Sequence, residues 1–169
     1  MPAILLFTLY LLVATMETTT AQPTVSAQPS AMTTLSFRLK PGQDLKLALD
    51  ELVQNQHIAA GTLLTCVGSL TDVSLRLANQ DGPTHYQGHF EIVSLVGTLA
   101  ASGSHVHLSV SDSTGRTLGG HLMVGCKVYT TAEIVVGILP DVVFSREPDP
   151  TFGYRELVVR KKKSKPNRD

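Results

Sequence analysis

Tryptophan is absent from the 169 residues, and aromatic side chains of all kinds make up 5% of them. No aromatic platform of the sort that stacks nucleic-acid bases or sugars is therefore evident. Cysteine occurs twice, as Cys66 and Cys126, each inside an apolar run and with no metal-ligand spacing between them. Buried reduced thiols are expected there; a disulfide would require the two strands to lie close enough to bridge. No nucleophile elbow, phosphate-binding glycine loop or paired-carboxylate constellation can be identified. Net charge is also lacking, since 14 basic residues balance 14 acidic ones. That balance hides an asymmetry. Arg160 to Asp169 holds six basic residues and one acidic one, leaving eight basic against thirteen acidic elsewhere, a body of about −5. A mildly acidic body disfavours nonspecific attraction to phosphate backbones. Any nucleic-acid contact would have to come from the tail.

What is present is β-rich. Val, Ile, Leu and Thr dominate the middle of the chain, and these residues pack well on a pleated surface. The length allows one domain with a true core and is short for two. Three segments are expected: residues 1–33 outside the fold, a domain over 34–159, and a basic disordered tail over 160–169. The apolar run Ala3–Ala14 is too short for a membrane span and fits the h-region of a signal peptide, with Thr19-Thr20-Ala21 as small residues for cleavage. It has no Lys or Arg before it, and Met32 offers an alternative start just ahead of the domain. The protein is secreted if the signal operates, and cytoplasmic or nuclear if translation begins at Met32. The tail Arg160-Lys161-Lys162-Lys163-Ser164-Lys165-Pro166 reads either as a solvated terminus or as a nuclear address or phosphate-binding patch.

Leu35, Phe37 and Leu39 alternate with polar neighbours and predict a strand, broken by Pro41-Gly42. Asp44 then caps a helix with Leu45, Ala48, Leu49 and Leu52 on one face, ending by about His57. A short strand is predicted over Thr62–Val67, with a break at Gly68-Ser69, and another around Val73, Leu75 and Leu77. Asn79 to Pro83 is a loop by its turn residues. In the next strand Phe90, Ile92, Ser94 and Val96 should point one way, and Glu91, Val93 and Leu95 the other. Asp112-Ser113-Thr114-Gly115 signals a hairpin joining the strand that carries His105 and His107 to a returning strand that carries His121. Val128–Ile138, Val142–Ser145 and Tyr154–Val159 complete about eight strands. With one helix among them, the pattern implies a largely antiparallel sheet, curled or barrel-like, with the helix packed on it.

Several of these stretches resemble the plants and prokaryotes conserved (PPC) domain: Thr65-Cys66-Val67-Gly68-Ser69-Leu70, Gly88-His89-Phe90-Glu91-Ile92-Val93-Ser94-Leu95, His105-Val106-His107-Leu108-Ser109, Gly119-Gly120-His121-Leu122 and Val128 to Ile134. The resemblance spans Ser36 to Val159. It implies an α/β fold of the α+β type, with a largely antiparallel sheet and one main helix, assembled as a homotrimer. In plants the domain follows AT-hook motifs and mediates association with itself and with transcription factors, through a segment matching Gly88, His89, Phe90, Glu91, Ile92 and Val93. Two departures stand out. The plant motif has Arg where this chain has His89, and no Arg-Gly-Arg-Pro core is present, so the plant minor-groove reader is missing.

Successive strand side chains alternate faces, so His105 and His107 share one. His121 joins them only if the hairpin sets it opposite residue 105 or 107; a slip of one residue sends it to the other side. Three neutral imidazoles with an open position suit zinc or another divalent metal, and the resemblance implies a histidine metal site at these positions in some prokaryotic members. The plain alternative is three polar residues hydrogen-bonded in a cleft or interface. Asp112 and Glu133 are the candidate carboxylates for metal-assisted hydrolysis, although Glu133 is better explained by pointing outward or by pairing with a basic or hydroxyl neighbour. Gly119-Gly120 suggests close backbone approach or a bulge. The expected function is a homotrimeric, metal-binding protein-interaction module. A small metal-dependent hydrolase or lyase is the alternative, and a nuclear DNA-associated regulator a second. Sequence-specific nucleic-acid binding by the domain and a stable membrane span are not expected.

Overall fold

The computed structural model describes residues 26–151 and 153–163. The run Ala3–Ala14, the cleavage-compatible Thr19-Thr20-Ala21 and the end of the basic tail lie outside the described residues. The elements run β1 (Thr33–Leu39), α1 (Leu45–Asn55), β2 (Gly61–Arg76), β3 (Thr84–Leu99), β4 (His105–Ser111), β5 (Thr117–Leu122), β6 (Lys127–Ile138), β7 (Val142–Pro148) and β8 (Arg155–Lys161). Among the described residues no helix is long and apolar enough to cross a membrane.

Asp44 opens α1 as its sequence position predicts. One carboxylate oxygen accepts from the backbone N–H of Lys46 and Leu47, and the other from that of Gly125 at 2.7 Å. The cap thus satisfies free first-turn amides and ties the helix to the loop before β6. Leu45, Leu49 and Val53 are fully buried beneath the helix, with Ala48 and Leu52 at the flanks. They meet Leu70, Val73, Leu75, Leu108, Val110, Ile134 and Val136 in a single core. Each such side chain contributes about 1.5–3 kcal/mol by leaving water.

Six strands form one sheet in the order β1-β6-β2-β3-β4-β5, every pairing antiparallel. The far end of β2 also pairs with β5, through Leu75↔Leu122 and Arg76↔His121. The run β2-β3-β4-β5 therefore closes on itself, which is the curled antiparallel architecture with one packed helix that the sequence implies. β7 and β8 form a separate two-stranded ribbon. It is held to the main body by bonds such as Phe144 N–H to the Ala59 carbonyl at 3.0 Å and Ser102 Oγ to the Phe144 carbonyl at 3.3 Å.

Three local expectations need correction. The break predicted at Gly68-Ser69 is not a strand end, because β2 continues through it with register shifts on β6 between Leu63 and Thr65 and between Gly68 and Leu70. Gly68 sits against the Thr131 carbonyl, where any Cβ would collide; the glycine marks close approach in a bulge. The alternation predicted for β3 fails past Ile92, because a bulge between Ile92 and Ser94 flips the pleat. Leu95 is consequently buried and Val96 exposed, the reverse of the expected faces. At the other end of the chain, β8 carries Arg160 and Lys161 as paired strand residues, opposite Val143 and Val142. Regular structure therefore reaches two residues into the segment expected to be disordered. Cys66 and Cys126 are both buried and free, and burial pushes their thiols up to about 12 and about 11.

Candidate metal centre

The β4–β5 hairpin turns at Asp112, whose carboxylate accepts from Thr114 N–H, Thr114 Oγ and Arg116 N–H. Those bonds hold its carboxyl below the usual range, the Thr114 hydroxyl contributing most. The turn sets the register that the loop residues alone left open: Ser111 faces Thr117, Leu108 faces Gly120, and His107 faces His121. Gly120 is required there. A Cβ on it would stand 2.7 Å from the Arg76 carbonyl, so only glycine lets β5 lie between β4 and the end of β2.

This register places all three imidazoles on one face. His105 Nε2 lies 3.1 Å from His107 Nε2 and 3.0 Å from His121 Nδ1, and one nitrogen from each of the three rings falls within 4.8 Å of the others. His105 and His121 are half-buried and His107 is exposed. The distances test the chemistry. A neutral ring nitrogen has either one hydrogen or one in-plane lone pair, so His105 Nε2 can serve both close neighbours only through a shared, three-centre hydrogen bond. A shared cation is the other arrangement these rings suit, because ligands of tetrahedral zinc at about 2.0–2.1 Å stand about 3.3 Å apart, near the two His105 separations.

Burial and neighbouring cations favour the neutral form of His105 and His121. Burial first, then the Arg76 guanidinium and the other two imidazoles, push His121 down to about 4. His105 is also lowered, by burial and then by Arg146 and His107, with Glu156 opposing. Neutral imidazole is the ligating species. None of the three rings has its remaining nitrogen hydrogen-bonded to a carboxylate among the described residues.

The other candidates lie elsewhere. Asp112 sits at the hairpin tip, five residues or about 16 Å of strand from His107, and is occupied by its turn. Glu133 is exposed on β6 across from Arg38 of β1, which is the outward-pointing alternative. Of Gly88 to Val93, the side chains of Phe90 and Ile92 are buried at 7% and 8% exposure and belong to the core. His89, Glu91 and Val93 face out, and His89 stacks on Tyr129 of β6 with centroids 4.4 Å apart. Arg76, Arg146 and Glu156 at the histidine cluster were not found by sequence reasoning. They reach it through β2–β5 closure and the β7–β8 ribbon, contacts with no local signature.

The comparisons with known proteins agree with this frame. The model of the Plants and Prokaryotes Conserved (PCC) domain matches residues 26–140. The chain is 47% identical over 132 residues to the bifunctional protein GlmU of a Synechococcus strain, a match covering 78% of this chain and 21% of that protein. It thus spans about a fifth of the length of the curated relatives it matches first. A solved protein of Salmonella enterica is 45% identical, with a TM-score of 0.78, over 80% of this chain and 98% of its own. Two more distant structures share the fold. A metal-containing protein of Archaeoglobus fulgidus has 20% identity and a TM-score of 0.68, covering 79% of this chain and 99% of its own. A candidate DNA-binding protein of Bacteroides thetaiotaomicron has 20% identity and a TM-score of 0.65, covering 74% and 91%. With the matched model extending over most of the described sheet and its helix, the chain belongs to the Plants and Prokaryotes Conserved domain family.

Proposed function

We propose that the protein is a metal-binding, self-associating interaction module in which His105, His107 and His121 hold zinc or another divalent ion. The observation that carries this reading is the convergence of three ring nitrogens within 4.8 Å of one another, with His105 Nε2 at 3.1 and 3.0 Å from the other two. The metal-containing Archaeoglobus relative supports it. Bound zinc should be present in the purified chain and lost on His107→Ala, as read by elemental analysis. Equal zinc content in the two proteins would sink the metal assignment.

Self-association is supported by the outer face of β6, β2 and β3. Tyr129, Leu64, Val67, Val93 and Val96 are all exposed there, Val67 at 63%. Exposed apolar residues clustered on neighbouring strands mark interaction surfaces, and His89, Glu91 and Val93 present the outward side of the segment Gly88 to Val93 as its partner-binding part. The family resemblance implies three copies. Light scattering should give the mass of three chains, and Val67→Asp with Val93→Asp should reduce it to one.

A second reading, a small metal-dependent hydrolase or lyase, is favoured by a cleft of 850 Å³ that opens onto His105 and His121. Loss of a detected activity in the triple histidine variant, with trimer mass kept, would separate it from the pure interaction module. DNA is not the partner we propose, despite the description of the Bacteroides relative, because the acidic body repels phosphate backbones. Tight sequence-selective binding by a chain truncated before Arg160 would refute that.

A further inference from the structure

The cleft beside the histidines is lined by more cationic than acidic side chains: Lys46, Arg76, Arg146 and Arg155 against Asp81 and Glu156. Two of the cations are otherwise engaged. Lys46 forms an ion pair with Asp50 on α1, and Arg155 donates to the Arg146 carbonyl at 2.6 Å. The other two are built into the frame of the metal centre. Arg76 is the cross-strand partner of His121, so the two side chains leave the sheet on the same face. The only bond of its side chain among the described residues is a long one, 3.5 Å, to the Gln80 carbonyl. Arg146 reaches in from β7 with its side chain only 13% exposed. It donates to Thr98 Oγ at 3.2 Å, and Thr98 is the cross-strand partner of His105. Its nearest carboxylate, Glu156, is 3.9 Å away and itself 57% exposed.

Two guanidiniums thus flank the histidine cluster, one fixed to the strand partner of His121 and one to that of His105. Among the described residues Arg76 forms no ion pair, and Arg146 forms a single long one, at 3.9 Å, with the exposed Glu156. We infer that this cleft binds a small molecule through a carboxylate or phosphate group held by Arg76 and Arg146, next to the three histidines. Guanidinium recognises such planar or tetrahedral oxyanions through paired N–H donors, and a metal there adds charge of the same sign. The concave volume of 850 Å³ lies within the range of about 300–1,000 Å³ typical of small-molecule sites. A duplex lying across the surface would not use it. The inference rests on the metal assignment for the strength of binding, and on the arginines for its selectivity.

Calorimetric titration of the full chain with inorganic phosphate and with malonate, at constant ionic strength, tests it. Zinc-loaded and chelated samples are compared, with zinc content measured in each. Phosphate or malonate should bind the loaded protein, more weakly the chelated one, and about tenfold or more weakly to Arg76→Gln and Arg146→Gln. Arg76→Lys, which keeps charge and strand packing but loses the fork, should fall between. Circular dichroism shows that each variant is folded. Wild-type anion affinity in Arg76→Gln and Arg146→Gln overturns the inference while leaving a stoichiometric zinc site standing. No anion binding by the loaded wild type, or binding only of a short DNA duplex, overturns it equally. Absence of zinc from the wild type defeats the metal assignment instead, and anion binding that still depends on the arginines would then uphold the cleft.

Discussion

Two antiparallel ribbons meet at the histidine cleft, and they are secured in opposite ways. The β4–β5 hairpin is bonded on both sides, to β3 along its length and to the end of β2. Its inward side chains Val106, Leu108, Val110 and Leu122 are all in the core. The β7–β8 ribbon lies outside the six-stranded sheet and buries little beyond Val142. The first carries the three imidazoles; the second brings Arg146 and Glu156 to them. The proposed metal would need ligands of fixed geometry, and the hairpin supplies it. A wall of the cleft tolerates more motion, and the ribbon has the looser attachment that allows it.

The contrast can be broken most easily in the core. Leu108→Ala, at a position 1% exposed, should lower stability by about 2–5 kcal/mol in urea unfolding. Leu157→Ala on β8, 39% exposed, should change it by about 0.5 kcal/mol or less. Comparable losses in the two variants would show that the ribbon is as integral as the hairpin. Gly120→Ala pushes a methyl against the Arg76 carbonyl, and should cost about 1–3 kcal/mol by overpacking. The same shift separates Arg76 from His121, so zinc affinity should fall alongside the midpoint; an unchanged affinity would mean that β2–β5 closure does not position the cluster.

Amide hydrogen exchange sharpens the comparison without mutation. The β7–β8 amides should exchange by local opening, and those of β4 only near global unfolding; matched protection would erase the distinction. The smallest expected effect concerns the exposed pair of Arg160 and Glu147 that spans the ribbon. Hydrogen bonds from Arg160 first, and then from Ser145, hold the Glu147 carboxyl down to about 2. A depressed carboxyl adds stability that is fully present above its ordinary value of 4.5 and lost as pH falls through about 2. The small difference in Tm between the wild type and Glu147→Gln should therefore be flat above pH 4.5 and vanish toward pH 2. A difference that persists at pH 2 would assign the effect to packing.

Much of the fold could be read locally. The Asp44 cap, the face Leu45-Leu49 and the Asp112 turn each depend on residues within a few positions of one another, where propensity and side-chain bonding to backbone decide the outcome. The errors fell where a neighbouring strand decides. Whether Gly68 ends a strand or lets it pass close to Thr131 depends on β6, and whether Val96 faces in or out depends on a bulge across from β4. Nothing near either residue in the chain encodes that.

The histidine site divides along the same line. His-x-His on a strand, with a third histidine beyond a hairpin turn, was determined by sequence as a set of three residues able to share one face. Only the tertiary structure decided that they do, because a side-chain period of two makes every face assignment hostage to a single step of register. That step was set by the turn at Asp112 and by the room Gly120 leaves for the β2 backbone. The arginines were decided by tertiary structure entirely: Arg76 and Arg146 are 70 positions apart in the chain, and only the closure of β2 on β5 and the placement of the ribbon bring them to the same cleft beside His105 and His121.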